Sequence, residues 1–173
     1  MHETAQDLVD LQTLLDSSYD AAGPHMRDVI TPERRMDARQ VCDALVGMNL
    51  LTLATSTADG RPLAGPVDAF FFRGAYWFGS ASHSMRMRHI TRRPHVSAVY
   101  LPGEHLSVTI HGRAYPAADA DPGMFAGFQR VCVSHYGDSW FEWAAEASYA
   151  YILADKMFTF WMPETLPSLT TDD

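Results

Sequence analysis

The segment from residue 50 to residue 79 restricts the fold most, because it contains three strand patterns joined by tight turns and no helical pattern. Asp59–Gly60 separates the first two patterns, and this dipeptide is the strongest short signal for a β-hairpin. Arg73–Gly74 marks the second turn. The segment therefore predicts an antiparallel meander with strands over 50–57, 63–72 and 75–79.

The next part of the chain predicts one helix followed by more strands. A helical pattern over 80–93 ends before Pro94, and strand patterns follow over 95–101, 105–115 and 149–161. In the fifth strand Leu106, Val108 and Ile110 alternate with polar residues, which is typical of a strand with one buried face. Because the strands do not alternate with helices, a parallel α/β sheet is excluded. We expect a mainly β fold with some α: a six-stranded antiparallel split β-barrel with flanking helices.

Other helical patterns flank the predicted barrel. The first helix has one apolar face and ends at Gly23–Pro24; its face consists of Leu8, Leu11, Leu15 and Tyr19. Thr31 is the predicted N-cap of a second helix, whose buried residues would be Val41, Ala44, Leu45 and Met48. Two further helices are predicted after Asp121 and over 140–147. The chain thus divides into a helical extension (1–36), a barrel domain (37–163) and a flexible tail (164–173).

Composition and charge exclude several classes of function. The chain has 173 residues and a net charge of -8, which argues against a general nucleic-acid binder. No apolar run approaches the roughly 18 residues of a membrane span, and the first residues lack the features of a secretory signal. We therefore expect a cytoplasmic protein with no membrane and no nucleic-acid partner. The two cysteines, Cys42 and Cys132, are predicted to be reduced core residues, and no spacing typical of a metal site is present.

Basic residues are concentrated at one place in this acidic chain. Four arginines lie within eight positions, which are Arg86, Arg88, Arg92 and Arg93. Ser80 and Ser82 lie at the expected start of the helix, and Ser82, Arg86 and His89 share one of its faces. Together with the arginines, these residues predict a phosphate site. The alternative is a capped helix whose basic side chains are simply solvated.

The second predicted strand has an unusual composition. Arg61–Val67 contains two prolines and one glycine, and such residues are typical of strand edges, bulges and places where a ligand approaches the backbone. A flat ring lying against this strand would account for them, whereas the alternative is an irregular edge strand. No GxSxG, GxGxxG or Walker pattern is present, so neither a hydrolase nucleophile nor a Rossmann or P-loop site is indicated.

These segments together resemble a known family. Leu53–Thr55, Asp59–Pro62 and Gly65–Asp68 are similar to the opening hairpin of the pyridoxamine 5'-phosphate oxidase-like split-barrel family. Tyr76–Ser80, the arginine-rich helix and Arg93–Ser97 continue the resemblance in the same order. It covers roughly residues 45–115.

The resemblance implies a homodimer with two flavin sites at the subunit interface. The usual cofactor is FMN, some relatives use a deazaflavin coenzyme, and a few bind haem. The cofactor-binding residues carried over are Arg61, Pro66, Val67, Asp68, Ser80, Ser82, Arg86 and Arg88. The chain has no arginine after Arg130, where true pyridoxamine phosphate oxidases carry a substrate motif, which argues against vitamin B6 as the substrate.

The expected function is an FMN-dependent oxidoreductase acting on an unidentified small molecule. The alternatives are a deazaflavin-dependent reductase and a non-enzymatic flavin- or haem-binding protein. No catalytic side chain is predicted, because the flavin itself accepts and delivers the hydride. The aromatic residues of the last strand, with Phe70, Phe71 and Phe72, exceed what one small barrel is expected to bury, which also favours a homodimer.

Overall fold

A computed structural model describes residues 1–162, apart from the side chain of Trp143. Its strands are β1 (Met48–Ser56), β2 (Pro62–Phe72), β3 (Ala75–Ala81), β4 (His95–Gly103), β5 (Leu106–Pro116) and β6 (Ala147–Trp161). They form a closed antiparallel barrel in the order β1–β2–β3–β6–β5–β4. The prediction of a six-stranded antiparallel barrel with flanking helices is confirmed. The predicted tail, and with it Pro163, lies outside the described residues.

The described residues also contain six α-helices and two 3-10 turns. The helices are α1 (Ala5–Asp20), α2 (Pro24–Val29), α3 (Ala38–Ala44), α4 (Met85–Arg92), α5 (Pro122–Tyr136) and α6 (Trp140–Ala144). The 3-10 turns are Pro32–Arg34 and Ala117–Asp119. No helix within residues 1–162 combines the length and the apolar character that crossing a membrane requires.

Alternating side chains fill the interior of the barrel. In β5 the side chains of Leu106, Val108 and Ile110 are buried and the residues between them are more exposed, as the sequence predicted. The predicted Asp59–Gly60 turn joins β1 to β2, and Gly60 has a φ of 83°, which a residue without a Cβ adopts readily. Cys42 and Cys132 are free and buried, also as predicted.

Helix α1 covers an open strand edge of the barrel. β3 pairs with β6 only from Ala147 to Ile152, so the rest of β6 has β5 on one side alone. Ser18 Oγ accepts a hydrogen bond from the Met157 N–H at 2.9 Å, and Tyr19 Oη accepts one from the Thr159 N–H at 2.9 Å. These bonds satisfy backbone groups that would otherwise form an exposed edge, and they attach the N-terminal helix to the barrel.

The start of the helix before β1 differs from its prediction. Thr31 precedes only the 3-10 turn, and the residue that caps α3 is Asp37. The Asp37 carboxylate accepts a hydrogen bond from the Gln40 N–H at 2.8 Å, and Gln40 Oε1 accepts one from the Asp37 N–H at 2.9 Å. This reciprocal capping box outweighs the Thr31–Pro32 signal. Met48, predicted to be buried on this helix, instead begins β1 and is exposed.

A second apolar core lies outside the barrel, between β2, β3 and helices α5 and α6. Phe70, Phe72 and Trp77 point outward from the strands and pack against Phe128 and Trp140. Phe70, Phe71 and Phe72 are each at most 7% exposed. One chain therefore buries these three rings, whereas the aromatic residues of the last strand stay partly exposed, Trp161 by 41%. The homodimer remains a prediction.

Candidate functional site

The strands β2 and β3 separate part-way along their length, and a cleft opens at that point. They pair only where Ala69–Phe72 lies against Ala75–Phe78, although β2 begins at Pro62. The carbonyl of Pro66 faces this unpaired edge, because it accepts a hydrogen bond from the Arg86 side chain on α4. Proline lacks the N–H that pairing with β3 would need. Pro66 therefore helps to keep this edge open.

The cleft has a volume of about 340 Å³ and lies between β2, the end of β3, α4 and the α5–α6 region. Its polar residues include Asp68 and Arg86, beside the backbone of Pro66. Its apolar and aromatic wall consists of Leu50, Val67, Phe70, Phe78, Gly79, Phe128, Cys132, Tyr136, Trp140 and Tyr149. An apolar cleft with a few polar groups is typical of a binding site for a small molecule.

Backbone geometry distinguishes the N–H groups of Val67 and Asp68, two of the residues predicted to bind the cofactor. Residues two apart in a strand direct their backbone groups to the same edge, so Asp68 faces the cleft like Pro66. Asp68 and Gly79 come next in register after the last β2–β3 pair, and both line the cleft. Val67 pairs with Leu51, and its backbone groups point to β1. The Asp68 N–H is thus the one available to a ligand.

Arg86 supplies the positive charge of the cleft. Its Nη2 donates to the Pro66 carbonyl at 2.7 Å, and the residue is half-buried. Within residues 1–162 the ion pairs are Arg61–Asp59 and Arg73–Asp7, so Arg86 has no carboxylate partner in that part of the chain. Burial lowers the pKa of its guanidinium, because a charge is less stable away from water. A half-buried cation that forms no ion pair within residues 1–162 favours the binding of an anion.

Three protic side chains face Arg86 across the cleft. Burial raises the pKa of Cys132 and that of Tyr149 to about 12. Burial and, to a smaller extent, the nearby charge of Asp68 raise the pKa of Tyr136. All three groups are neutral at pH 7. This side of the cleft is therefore uncharged and offers hydrogen-bond donors, and only Asp68 and Arg86 carry charge in the described lining.

The predicted position of the two serines at the start of the helix is wrong. Ser80 lies within β3, because pairing with β6 continues through Ser80–Ser148 and Ala81–Ala147 and keeps the backbone extended. Ser82 lies in the turn that follows. Helix α4 begins at Met85, and its N-cap is Ser84, whose hydroxyl accepts from the Met87 N–H at 3.3 Å. Ser80 Oγ donates to Ser84 Oγ at 3.1 Å, so the first serine supports the cap.

The structure separates the remaining predicted site residues. His89 is buried, with its Nδ1 2.9 Å from Thr55 Oγ1, and it does not line the cleft. Arg88 lies on the other side of α4 from Arg86. Arg61 is in the β1–β2 turn, where it pairs with Asp59 at 2.8 Å in an exposed ion pair. The structure brings Pro66, Val67, Asp68 and Arg86 together, and it places Ser80, Ser82, Arg88 and Arg61 outside the cleft.

Sequence reasoning missed the far wall of the cleft. Phe128, Cys132, Tyr136 and Trp140 belong to α5 and α6, which are more than 40 residues from Arg86 along the chain. Cys132 was predicted only as a core residue, and Phe128, Tyr136 and Trp140 were not among the predicted site residues. The one available signal was the apolar face of α5, which shows that the helix packs but not what it covers.

The fold is a split barrel, and its cleft places Arg86 and Asp68 beside an apolar and aromatic wall. The chain belongs to the pyridoxamine 5'-phosphate oxidase family, whose model matches residues 39–159. No curated protein gives a match to the chain.

Solved structures with the same fold are similar to this chain at low sequence identity. A conserved hypothetical protein from Mycobacterium tuberculosis is 18% identical, with a TM-score of 0.63, over 81% of this chain and 97% of that one. An FAD-binding protein from Mesorhizobium loti is 21% identical, with a TM-score of 0.55, over 73% and 93%. The haem storage protein HutZ from Vibrio cholerae is 15% identical, with a TM-score of 0.59, over 76% and 96%. At these identities the likeness establishes the fold alone.

Proposed function

We propose that the protein is an FMN-dependent oxidoreductase acting on a small molecule. The observation that supports this most is the position of Arg86, a half-buried guanidinium without a carboxylate partner among residues 1–162, beside the open edge of β2. A phosphate at Arg86 would leave a ring to lie against Pro66 and Asp68. The flavin, when bound, supplies the two-electron chemistry.

The residues of the cleft suit the phosphate and the ring of FMN. The guanidinium of Arg86 keeps donors besides the Nη2 bond to Pro66, and these suit phosphate oxygens. The Asp68 N–H can donate to an acceptor on the ring, while its carboxylate disfavours additional negative charge there. The aromatic wall, with Tyr136 and Tyr149, excludes water from the opposite face.

The alternatives use different chemistry at the same cleft. A haem site needs an iron ligand, and no histidine occurs in the described lining of the cleft. The Cys132 thiol and the hydroxyls of Tyr136 and Tyr149 are protonated at pH 7, which makes them weak iron ligands. A deazaflavin carries the same kind of ring and phosphate, so a deazaflavin-dependent reductase remains the second candidate. A flavin-binding sensor would bind the same ligand without turnover.

The ligand that purifies with the protein tests this proposal. Absorption near the wavelengths of oxidised flavin and release of a flavin, identified by mass spectrometry, are expected; a protein that purifies without ligand should bind added FMN. A Soret band, a released deazaflavin, or no binding of FMN at tens of micromolar would contradict the proposal. Reduction of the bound flavin by a nicotinamide or another small donor distinguishes an enzyme from a sensor.

The replacement His111→Ala tests whether a histidine takes part in the chemistry. His111 is exposed on β5, where its Nδ1 lies 2.8 Å from Ser97 Oγ, outside the described lining of the cleft. We expect the variant to reduce the bound flavin within about tenfold of the parent rate, since loss of a general acid typically costs 10²–10⁴-fold. The measurement is anaerobic stopped-flow reduction. A hundredfold slower reduction with cofactor still bound would show that His111 acts directly.

An exposed apolar face next to the cleft supports the proposed homodimer. Leu51 on β1 pairs with Tyr100 on β4, so Leu50 lies beside Leu101 on the outer face of these two strands. Leu50 is 57% exposed and Leu101 is 63% exposed. Leu50 also lines the cleft. A second copy covering this face would bury the leucines and add a wall to the site, which agrees with flavin sites at a subunit interface.

Light scattering at micromolar concentration is expected to give twice the mass of the chain. Leu101→Glu should shift the protein to the monomer, because a charge at this face would be buried in the dimer. Val9→Glu replaces an equally exposed residue on α1 and should leave the dimer intact. A monomeric parent protein would remove the homodimer from the proposal.

A further inference from the structure

Helix α4 directs its arginines to two sides. With 3.6 residues per turn, Arg86 and Arg88 lie on nearly opposite sides of the helix, whereas Arg88 and Arg92 share one face. Arg86 lines the cleft, and Arg88 and Arg92 line a separate cavity of about 510 Å³ between α4, the turn after β5, α5 and β6. We call this space the arginine cavity.

The two charges of the arginine cavity are not balanced by acidic side chains. Neither Arg88 nor Arg92 forms an ion pair with another residue in the described part of the chain, and the described lining of the cavity contains no aspartate or glutamate. Like charges four residues apart on a helix repel each other. In a chain of net charge -8, this unbalanced pair favours a bound anion.

The opposite wall of the arginine cavity is aromatic and apolar. Phe125 and Tyr149 lie there with Ala117. The ring of Phe125 is held in place, because it stacks on Trp77 with the two centroids 6.5 Å apart and an interplanar angle of 20°. Guanidinium groups facing a fixed aromatic ring suit a planar base that carries a phosphate, since the base stacks and the phosphate pairs with the charges.

The arginine cavity and the cleft are adjacent. Tyr149 lines both, and a third cavity of about 500 Å³ shares Gly79 with the cleft and Ser82 with the arginine cavity. The third cavity lies beside the N-terminal end of α4, since His83 lines it and Ser84 is the N-cap, and the helix dipole favours phosphate there. Glu146 also lines that third cavity, so the arginine cavity is the better place for an anion to end.

We propose that the arginine cavity binds the adenosine phosphate part of a flavin adenine dinucleotide, whose FMN part lies in the cleft. The diphosphate passes from Arg86 around the start of α4, and Arg88 and Arg92 pair with the second phosphate while the adenine stacks on Phe125. This inference rests on the proposed flavin site but adds a binding subsite on the other side of the helix.

Titrations with FMN, FAD and ADP test the subsite. Fluorescence quenching measures the two flavins, and isothermal titration calorimetry measures ADP. The parent is expected to bind FAD at least about tenfold more tightly than FMN, as one added charge-assisted contact would give. R88A/R92A should lose at least that factor for FAD and should change FMN affinity by less than about threefold. R27A/R39A removes the same charge from exposed positions away from both cavities and should leave the parent's preference for FAD unchanged.

The three ligands separate failure of the subsite from failure of the flavin site. Equal affinities of the parent for FMN and FAD, or an equal loss of both in R88A/R92A, would overturn the subsite while leaving the proposed function standing. If the parent binds neither flavin but binds ADP, and R88A/R92A loses ADP, the proposed function fails and the nucleotide subsite is supported. If ADP is not bound either, both proposals fail.

Discussion

Replacing Arg86 with alanine is expected to weaken the binding of FMN by about ten- to a hundredfold, the effect of losing one charge-assisted contact of roughly 1.5–3 kcal/mol. Arg86 is the cation at the open edge of β2, and no carboxylate competes for it among residues 1–162. The dissociation constant for FMN, from fluorescence quenching, is the measurement. Arg86→Lys should recover part of the affinity, since it keeps the charge but not the planar pair of donors.

Comparison variants show whether the Arg86 effect is specific. Arg92→Ala should change FMN affinity much less than Arg86→Ala, because Arg92 lines the arginine cavity and not the cleft. Arg39→Ala, on the exposed surface of α3, controls for net charge. The melting temperature of the ligand-free variant shows whether the lost bond to Pro66 disturbs the fold. Equal FMN affinities for the parent, Arg86→Ala and Arg92→Ala would remove Arg86 from the site.

Replacing Trp77 with alanine is expected to lower the free energy of unfolding by about 3–5 kcal/mol. Trp77 is 1% exposed, its Nε1 donates to the Phe72 carbonyl at 3.2 Å, and its ring stacks on those of Phe128 and Tyr151 with centroids 5.1 and 4.7 Å apart. Removing the indole would leave a cavity between β3 and α5. Helix α5 would have to move to fill that cavity. Denaturant unfolding measures the change.

The matched control for Trp77 is the tryptophan at the end of β6. Trp161 is 41% exposed, and its replacement with alanine should lower the free energy of unfolding by about 1 kcal/mol or less. Because α5 forms the far wall of the cleft, Trp77→Ala should also weaken FMN binding at temperatures where the variant is folded. A loss of stability no greater than that of Trp161→Ala would show that the second core is not tightly packed.

Local sequence signals predicted most of the barrel. The Asp59–Gly60 turn, the alternation along β5 and the helix-ending Pro94 act between neighbouring residues, so their effect does not depend on distant parts of the chain. Helix starts were less predictable, because several serines, threonines and aspartates compete to cap each helix. Ser84 and Asp37 were selected by where strand pairing ended and by a reciprocal bond to Gln40, whereas the predictions had named Ser80 and Thr31.

The sequence by itself determined the strand order of the meander, the presence of an arginine-rich helix before Pro94 and the irregular edge marked by Pro66. Tertiary structure decided which of these residues share a space. It placed Arg86 beside Pro66, turned Arg88 to the opposite side of the same helix, and covered the cleft with Tyr136 from a distant segment. The physical reason is that turn and helix signals are local, whereas a cleft forms between surfaces that meet only when the barrel closes and α5 packs on its outer face.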